Sequence, residues 1–299
     1  MIETGMKLAV IDVGSNTIRL LVACVQGGEL EAVEQRTAWV RLGSDVAATG
    51  AISPLRLEAA ARAVSDFAAE ARKLGCMHVE TLVASPGRQA ENGSDLLRRL
   101  EIASHTPVRL LRRDEEARLA YDGAVTAAGV DDHTVAVCDV GGGSTQLAIG
   151  TADLGPVWLR SLDVGSLRLT RQVFVHDPPG KQTIKEARRT VREHCDGLVF
   201  PLPKTALAVG GSARGLKRLV GTRTLGEDEL AAALRMLRKR SSAELAAEHG
   251  IDPERARTLA AGAVILSEMQ RRLMVPLEVG RGGVREGALL ELAAQQTAA

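Results

Sequence analysis

Aromatic side chains are nearly missing from this 299-residue chain, at 2% of its residues and with a single tyrosine. Single-stranded nucleic acids are gripped largely by stacking bases on such rings, so nucleic-acid binding is not expected. Neither sign of charge is in excess, with 38 Lys and Arg against 37 Asp and Glu. The formal charge of +1 gives no global field for a nucleic acid or an anionic membrane, and a polyanion must be held by a local basic patch. The cysteines, Cys24, Cys76, Cys138 and Cys195, lie far apart with no paired spacing for zinc or redox chemistry. They read as buried free thiols of a reducing compartment. No pair of histidines has the spacing of a helical metal site or a zinc-protease motif, so a histidine metal centre is not expected. A long apolar run is lacking as well: the one at Leu8–Ile11 is broken by Asp12, and Arg19 follows. Neither a signal peptide nor a spanning helix fits, and a cytoplasmic protein is expected.

What the chain does have is an ordinary globular composition, 45% hydrophobic and 25% charged, and length for two domains. It also repeats itself. The stretch Ala9-Val10-Ile11-Asp12-Val13-Gly14-Ser15-Asn16-Thr17-Ile18-Arg19-Leu20 returns as Ala136-Val137-Cys138-Asp139-Val140-Gly141-Gly142-Gly143-Ser144-Thr145-Gln146-Leu147, the second copy reading as one glycine longer. Each copy is an apolar strand ending at an aspartate, a turn of small residues, and a second β-rich stretch, Ile18–Val25 or Gln146–Ile149. The pattern predicts two hairpins whose tips carry an acid beside glycine and hydroxyls.

Between the copies, Ser53-Pro54 opens a predicted helix to Lys73, with Leu57, Ala61, Val64 and Ala68 on one face and Gly75 as its stop. Strands are expected at 78–84 and 108–111, and helices at 95–102 and 114–124. The second half repeats the scheme, with strands at 135–139, 146–149, 158–162 and 206–209 and a helix at 183–195. From Glu227 onward helices dominate. Thr224-Leu225-Gly226-Glu227 has the form of a capping box, Asp252-Pro253-Glu254 places an N-cap before proline, and 254–273 is read as one amphipathic helix. The expected class is α/β with a largely helical C-terminal part. The expected domains are 1–120 and 121–299, with the last helix packing back on the first. No Gly/Ser-rich linker marks the boundary, so the domains are expected to meet at a hinge and share a cleft.

Hairpin tips facing one another would offer backbone N–H groups to phosphate oxygens and carboxylates to magnesium. Glycine matters there because a backbone without Cβ lets an anion come close. One such turn alone is only a tight hairpin; two in register point to phosphate. Gly210-Gly211-Ser212, between the strand ending at Val209 and a helix starting near Ala213, is a third candidate loop at a helix N-terminus. The absence of a Gly-x-x-x-x-Gly-Lys-Ser/Thr loop excludes the other common nucleotide fold.

The duplicated signature resembles the phosphate loops of the sugar kinase, heat-shock chaperone and actin superfamily. More narrowly, Asp12–Leu20, Asp139–Thr145 and Asp114-Glu115-Glu116-Ala117-Arg118-Leu119-Ala120-Tyr121 resemble motifs of the exopolyphosphatase/guanosine pentaphosphate phosphohydrolase (Ppx/GppA) family. So do Arg88–Asn92, Ser161–Thr170, Gly210–Ala213 and Arg285–Leu289, in the family's order from residue 7 to residue 292. The resemblance implies two actin-like (ribonuclease H-like) domains flanking a central cleft, and release of the terminal phosphate of inorganic polyphosphate or of guanosine pentaphosphate. It implies that Glu116 is the general base that positions and deprotonates the attacking water. Asp139 and Gln146 join it at the reacting centre, and Asp12 and Asp139 hold Mg2+ or Mn2+. Gly14, Ser15, Asn16 and Thr17, with Gly141, Gly142, Gly143, Ser144 and Thr145, would cradle the phosphate. Arg88 would reach its oxygens, and Gly210, Gly211 and Ser212 would hold a guanosine or more of the phosphate chain. A homodimer is implied in the same way.

Taken by themselves, Glu115 and Glu116 are acids favoured in a helix's first turn, and Arg88 is a solvated surface residue. Arg109, Arg112, Arg113, Arg214, Lys217 and Arg218 are a basic set that could line a polyanion's route, or ordinary solvated charges. The chain departs from the family at Gln146, where a glutamate is usual; an amide can neither take a proton nor add charge at a metal. It departs again at Arg112-Arg113-Asp114 and at Ser85-Pro86-Gly87, two segments read as rim of the cleft. Two further functions remain open: a superfamily kinase or ATPase, which the Glu115-Glu116 helix start argues against, and a non-catalytic sensor of polyphosphate or alarmone, which Gln146 motivates.

Overall fold

The computed structural model describes residues 6–26, 29–130 and 133–297. Contacts divide the chain into one unit of Met1–Leu119 with Val284–Ala299 and a second of Ala120–Gly283. The sequence places the division at 1–120 and 121–299 with the last helix packing back; by contacts, Val284–Ala299 goes with the first unit.

The first unit holds β1 (Met6–Val13), β2 (Thr17–Gln26), β3 (Glu29–Trp39), α1 (Leu42–Thr49), α2 (Pro54–Lys73), β4 (His78–Val83), α3 (Ser85–Gln89), α4 (Gly93–Ser104) and β5 (Val108–Leu110). Helix α5 (Arg113–Ala128) starts in this unit and ends in the second. Its sheet has the order β3-β2-β1-β4-β5, antiparallel across β1–β3 and parallel from β1 to β5. Strand β1 is buried on both faces, as an apolar run in a central strand should be. Ala9, Ile11 and Val13 meet Leu57, Val64 and Leu100 of α2 and α4, while Leu8 and Val10 meet Leu119 and, from α13 (Val284–Thr297), Ala288 and Leu289.

The second unit continues with β6 (Val135–Val140), β7 (Thr145–Thr151), β8 (Gly155–Leu162), α6 (Ser166–Val173), α7 (Lys181–Cys195), β9 (Thr205–Val209), α8 (Gly210–Val220), β10 (Thr224–Leu225), α9 (Glu227–Leu237), α10 (Ser242–His249), α11 (Pro253–Ala256), α12 (Leu259–Leu273) and β11 (Leu277–Val279). Its sheet runs β10-β11-β9-β6-β7-β8, so β8-β7-β6-β9-β11 reproduces the first sheet's antiparallel triplet and two parallel strands. The duplication is therefore one of topology as well as of hairpin sequence. The hairpins also have the same length: Asp12 lies opposite Arg19 across β1–β2, and Asp139 opposite Gln146 across β6–β7. This corrects the extra glycine read in the second copy; the third glycine replaces a residue and lengthens nothing.

Local chemistry explains where helices differ from expectation. The 254–273 segment is two helices, because Asp252 caps Glu254 and Arg255 and the Thr258 hydroxyl then donates to the Arg255 carbonyl at 3.1 Å, closing the first turn. The second helix, α12, is buried nearly all round rather than amphipathic, and forms the centre of the largest core. At 224–227 the threonine is not the cap: Thr224-Leu225 pairs with β11, and Gly226 N–H donates to the Glu229 carboxylate at 3.0 Å. The four cysteines form no disulfide, Cys138 and Cys195 being buried and the other two half-buried. Burial pushes the Cys138 and Cys195 thiols up, Cys195 to about 11, so neither supplies a thiolate. No described helix is long and apolar enough to cross a membrane.

Candidate active site

In the first unit, β1 delivers the buried Asp12 to the mouth of its hairpin, where the Arg19 guanidinium donates to it at 3.1 Å from the facing strand. The Gly14 N–H closes the turn on the Thr17 carbonyl at 3.0 Å. The carbonyls of Ser15 and Asn16 accept from Gly43 at 2.7 Å and Arg41 at 2.9 Å, and the Ser15 and Ser85 hydroxyls lie 2.7 Å apart. Carbonyls pinned this way leave N–H groups for something else. Among the described residues the N–H groups of Ser15 and Asn16 have no partner, the arrangement of a backbone nest for anions.

The same unit carries Arg88 and Glu116. Arg88, on the short helix opened by Ser85-Pro86, donates at 2.6 Å to the Leu111 carbonyl and at 2.6 Å to the Glu116 carboxylate. Their side chains are 13% and 9% exposed, so Arg88 is not a solvated surface charge and Glu116 is no decoration of a helix start. Ser85, Pro86 and Gly87 are buried, which overturns their reading as rim. The neighbouring Glu115 is committed differently: it accepts the Arg112 N–H at 3.2 Å and pairs with Arg109. Arg109 also binds Glu80 at 2.8 Å and Glu291 of α13 at 2.9 Å, and Glu291 pairs with Arg118. Arg109 is thus a strut and not a solvated charge, unlike the exposed Arg112. Burial raises Glu80 above its usual value. For Glu291 burial acts in the same direction, but the hydrogen bonds of Arg118 and Arg109 outweigh it and hold the carboxyl low.

In the second unit the Gly141 N–H closes its turn on the Ser144 carbonyl at 3.0 Å, the counterpart of Gly14 and Thr17. Helix α6 holds the turn from below: Ser166 donates to the Gly141 carbonyl at 2.9 Å, and Leu167 and Arg168 to that of Gly142 at 2.9 and 3.0 Å. The packing is close enough that a Cβ on Gly165 would sit 2.5 Å from Gly142 O and Ser144 N. Among the described residues the N–H groups of Gly142 and Gly143 are without partners. The Thr145 hydroxyl is spent on the Val164 carbonyl at 2.6 Å, whereas Gln146 donates to the Ser144 hydroxyl at 2.9 Å and to that of Ser161 at 3.3 Å. Gly210, at φ 85°, brings the start of α8 against Asp139; a Cβ there would overlap Oδ1. Gly211 packs on the Arg255 guanidinium, and the buried Ser212 hydroxyl, which faces Gly262, has no partner among the described residues.

The sequence-predicted residues Asp12, Gly14, Ser15, Asn16 and Thr17 thus form one turn in the unit that holds the Arg88–Glu116 pair. Asp139, Gly141, Gly142, Gly143, Ser144, Thr145 and Gln146 form another, with Gly210 beside it. Arg19, Ser85, Gly165 and Ser166 were missed as parts of the site. The signal for Arg19 and for Gly165-Ser166 is the motifs that contain them, Asp12–Leu20 and Ser161–Thr170; nothing in the sequence joins Ser85 to Ser15.

Among the described residues no three His, Cys, Asp or Glu side chains are grouped so as to hold a metal. Single carboxylates do fit an ion such as Mg2+, which draws most of its ligands from water and substrate phosphates. Asp12 and Asp139 suit that use, being oxygen donors at the two turns.

Residues 21–296 match the model of the Ppx/GppA phosphatase family. The chain is 30% identical over 321 residues to "Exopolyphosphatase 2" of Mycobacterium tuberculosis, covering 96% of this chain and 98% of that protein. It is 29% identical over 302 residues to "Exopolyphosphatase 1" of the same organism, covering 95% and 88%. The crystal structure of the Aquifex aeolicus member of the Ppx/GppA family superimposes with a TM-score of 0.83 at 23% identity, over 97% of this chain and 98% of that one.

Proposed function

The chain belongs to the Ppx/GppA phosphatase family and has its two-domain actin-like α/β fold, and from this premise we propose that it hydrolyses the terminal phosphoanhydride bond of inorganic polyphosphate. The observation that carries the proposal is the buried Arg88–Glu116 pair, in the same unit as the Asp12 turn. Glu116 acts as general base: it takes a proton from water as the water oxygen bonds to the terminal phosphorus, and the bridging P–O bond breaks toward the shortened chain. The carboxylate is held by Arg88 through one guanidinium arm while the other is fixed on Leu111 O, so the base is oriented before substrate arrives.

The N–H groups of Ser15 and Asn16 in one turn, and of Gly142 and Gly143 in the other, are the donors offered to phosphate oxygens. Asp12 or Asp139 would hold Mg2+ or Mn2+, and the ion would supply charge neutralisation when bound. Gln146 supplies donors and no charge at the position where a glutamate is usual.

The test is phosphate release from polyphosphate and from guanosine pentaphosphate, side by side with magnesium, by the parent protein and by Glu116→Gln. Release by the parent that is abolished in the variant, with binding kept, supports the proposal. Tight binding without turnover in the parent makes the protein a sensor, and faster turnover of guanosine pentaphosphate makes that the substrate.

A further inference from the structure

Away from both turns, the second unit has an open pocket of about 250 Å3 lined by α7, α9 and α12. Its polar residues include Arg188, Arg192 and Arg271 with Glu227 and Glu268, and none of its lining residues belongs to either phosphate turn. Glu268 lies on the buried helix α12 and its side chain is 3% exposed. Three guanidiniums converge on that one carboxylate: Arg192 through Nε at 3.2 Å, Arg271 through Nε at 3.2 Å and Nη2 at 2.5 Å, and Arg272 through Nε at 3.1 Å.

A buried carboxylate needs compensation, and one or two guanidiniums would supply it. The pocket's arginines, Arg188, Arg192 and Arg271, outnumber its carboxylates, Glu227 and Glu268, while Arg272 also approaches Asp196 at 3.8 Å, and the manner of attachment shows where the remaining positive charge points. Arg192 is anchored only by Nε, so both its terminal nitrogens are uncommitted, and Arg188 has no partner among the described residues. Arg192 and Arg271 are also 54% and 57% exposed at the side chain, so their free donors remain open to a ligand. Guanidiniums fixed at the stem with donors facing a pocket have already lost the rotamer freedom that solvated arginines must give up to bind. Planar paired donors match the oxygens of a phosphate group. Several such groups around one pocket favour a ligand with more than one phosphate.

We propose that this pocket is a second anion site, which takes an inorganic oligophosphate independently of the hydrolytic residues. The probe is inorganic tripolyphosphate, titrated calorimetrically into the full chain with chelator present, beside orthophosphate and a polyglutamate peptide. The double variant Arg188→Ala, Arg192→Ala leaves Glu268 paired to Arg271 and Arg272, so the fold is kept. It weakens the binding of tripolyphosphate at this site by at least about tenfold. Orthophosphate binds the pocket at least about tenfold more weakly than tripolyphosphate. An isotherm for the double variant that matches the parent's would overturn the site. Polyglutamate or orthophosphate binding as tightly as tripolyphosphate would overturn the oligophosphate assignment. Because turnover is absent from this measurement, its failure is distinguishable from failure of the hydrolase reading.

Discussion

Arg88 and Glu116, 28 positions apart, form a nearly buried ion pair at 2.6 Å, and the second arm of the guanidinium is tied to the carbonyl that precedes the acidic helix. The pair orients the carboxylate proposed as base, and it costs the fold dearly to break.

Arg88→Met leaves the Glu116 carboxylate buried and uncompensated, and lowers unfolding free energy by about 3–5 kcal/mol. Arg88→Lys retains the charge but not the two-armed grip, so it destabilises less while slowing phosphate release by about 10²-fold. Denaturant titration and initial rates measure the two effects. A methionine variant as stable as the parent contradicts the pair.

Gln146→Glu is tolerated, because the Ser144 and Ser161 hydroxyls that now accept from the amide can turn and donate to a carboxylate. Added negative charge beside Asp139 strengthens metal binding, so the magnesium concentration for half-maximal phosphate release falls and the rate rises. A slower enzyme with unchanged metal dependence would remove Gln146 from the site.

Gly210→Ala places a methyl group on the Asp139 carboxylate at a backbone angle of φ 85°. The strain costs about 1–2 kcal/mol, and displacement of Asp139 slows phosphate release by about 10²-fold. Activity equal to the parent's would mean that Asp139 has no part in the reaction.

Chelation of divalent ions stops turnover, and adding Mg2+ or Mn2+ restores it, while the melting temperature stays the same, since no described side chains form a metal cage. A protein that unfolds on chelation falsifies this account of the ion.

Acid stability reports the α13 strut. Glu291 and Glu268 are held below the usual glutamate value of about 4.3. A depressed folded-state pKa contributes stability that is present above the unfolded value and lost as pH falls through the folded one. Glu80, raised by burial, works the opposite way, its contribution fading as pH rises through its folded value. Melting temperature therefore falls on acidification below about pH 4.3, and less steeply in Glu291→Gln. Equal slopes in variant and parent would show that Glu291 is not held this way.

The hairpins were legible because an apolar run, an aspartate and a glycine turn specify a strand pair locally, and α2 because Pro54 and Gly75 bound it. Strand β3 was not, since Glu29–Trp39 is an edge strand exposed along most of its length and shows no apolar alternation. The break between α11 and α12 lay in a threonine's hydrogen bond to a carbonyl, which periodicity does not register. At the site, the turns were readable from their own residues. The partners that fix the site's side chains, Arg19 aside, come from segments distant in the chain, Ser85 for Ser15 and Arg88 for Glu116, and the strut at Arg109 draws on Glu291, 182 positions away.

Helix α13 gives Ala288 and Leu289 to the same core as Leu8 and Val10 of the opening strand. On the ribosome the first unit therefore cannot seal one face of its sheet until Ala288 and Leu289 have left the exit tunnel. The second unit, contiguous in the chain, is free to finish first, which reverses the order in which the two are synthesised.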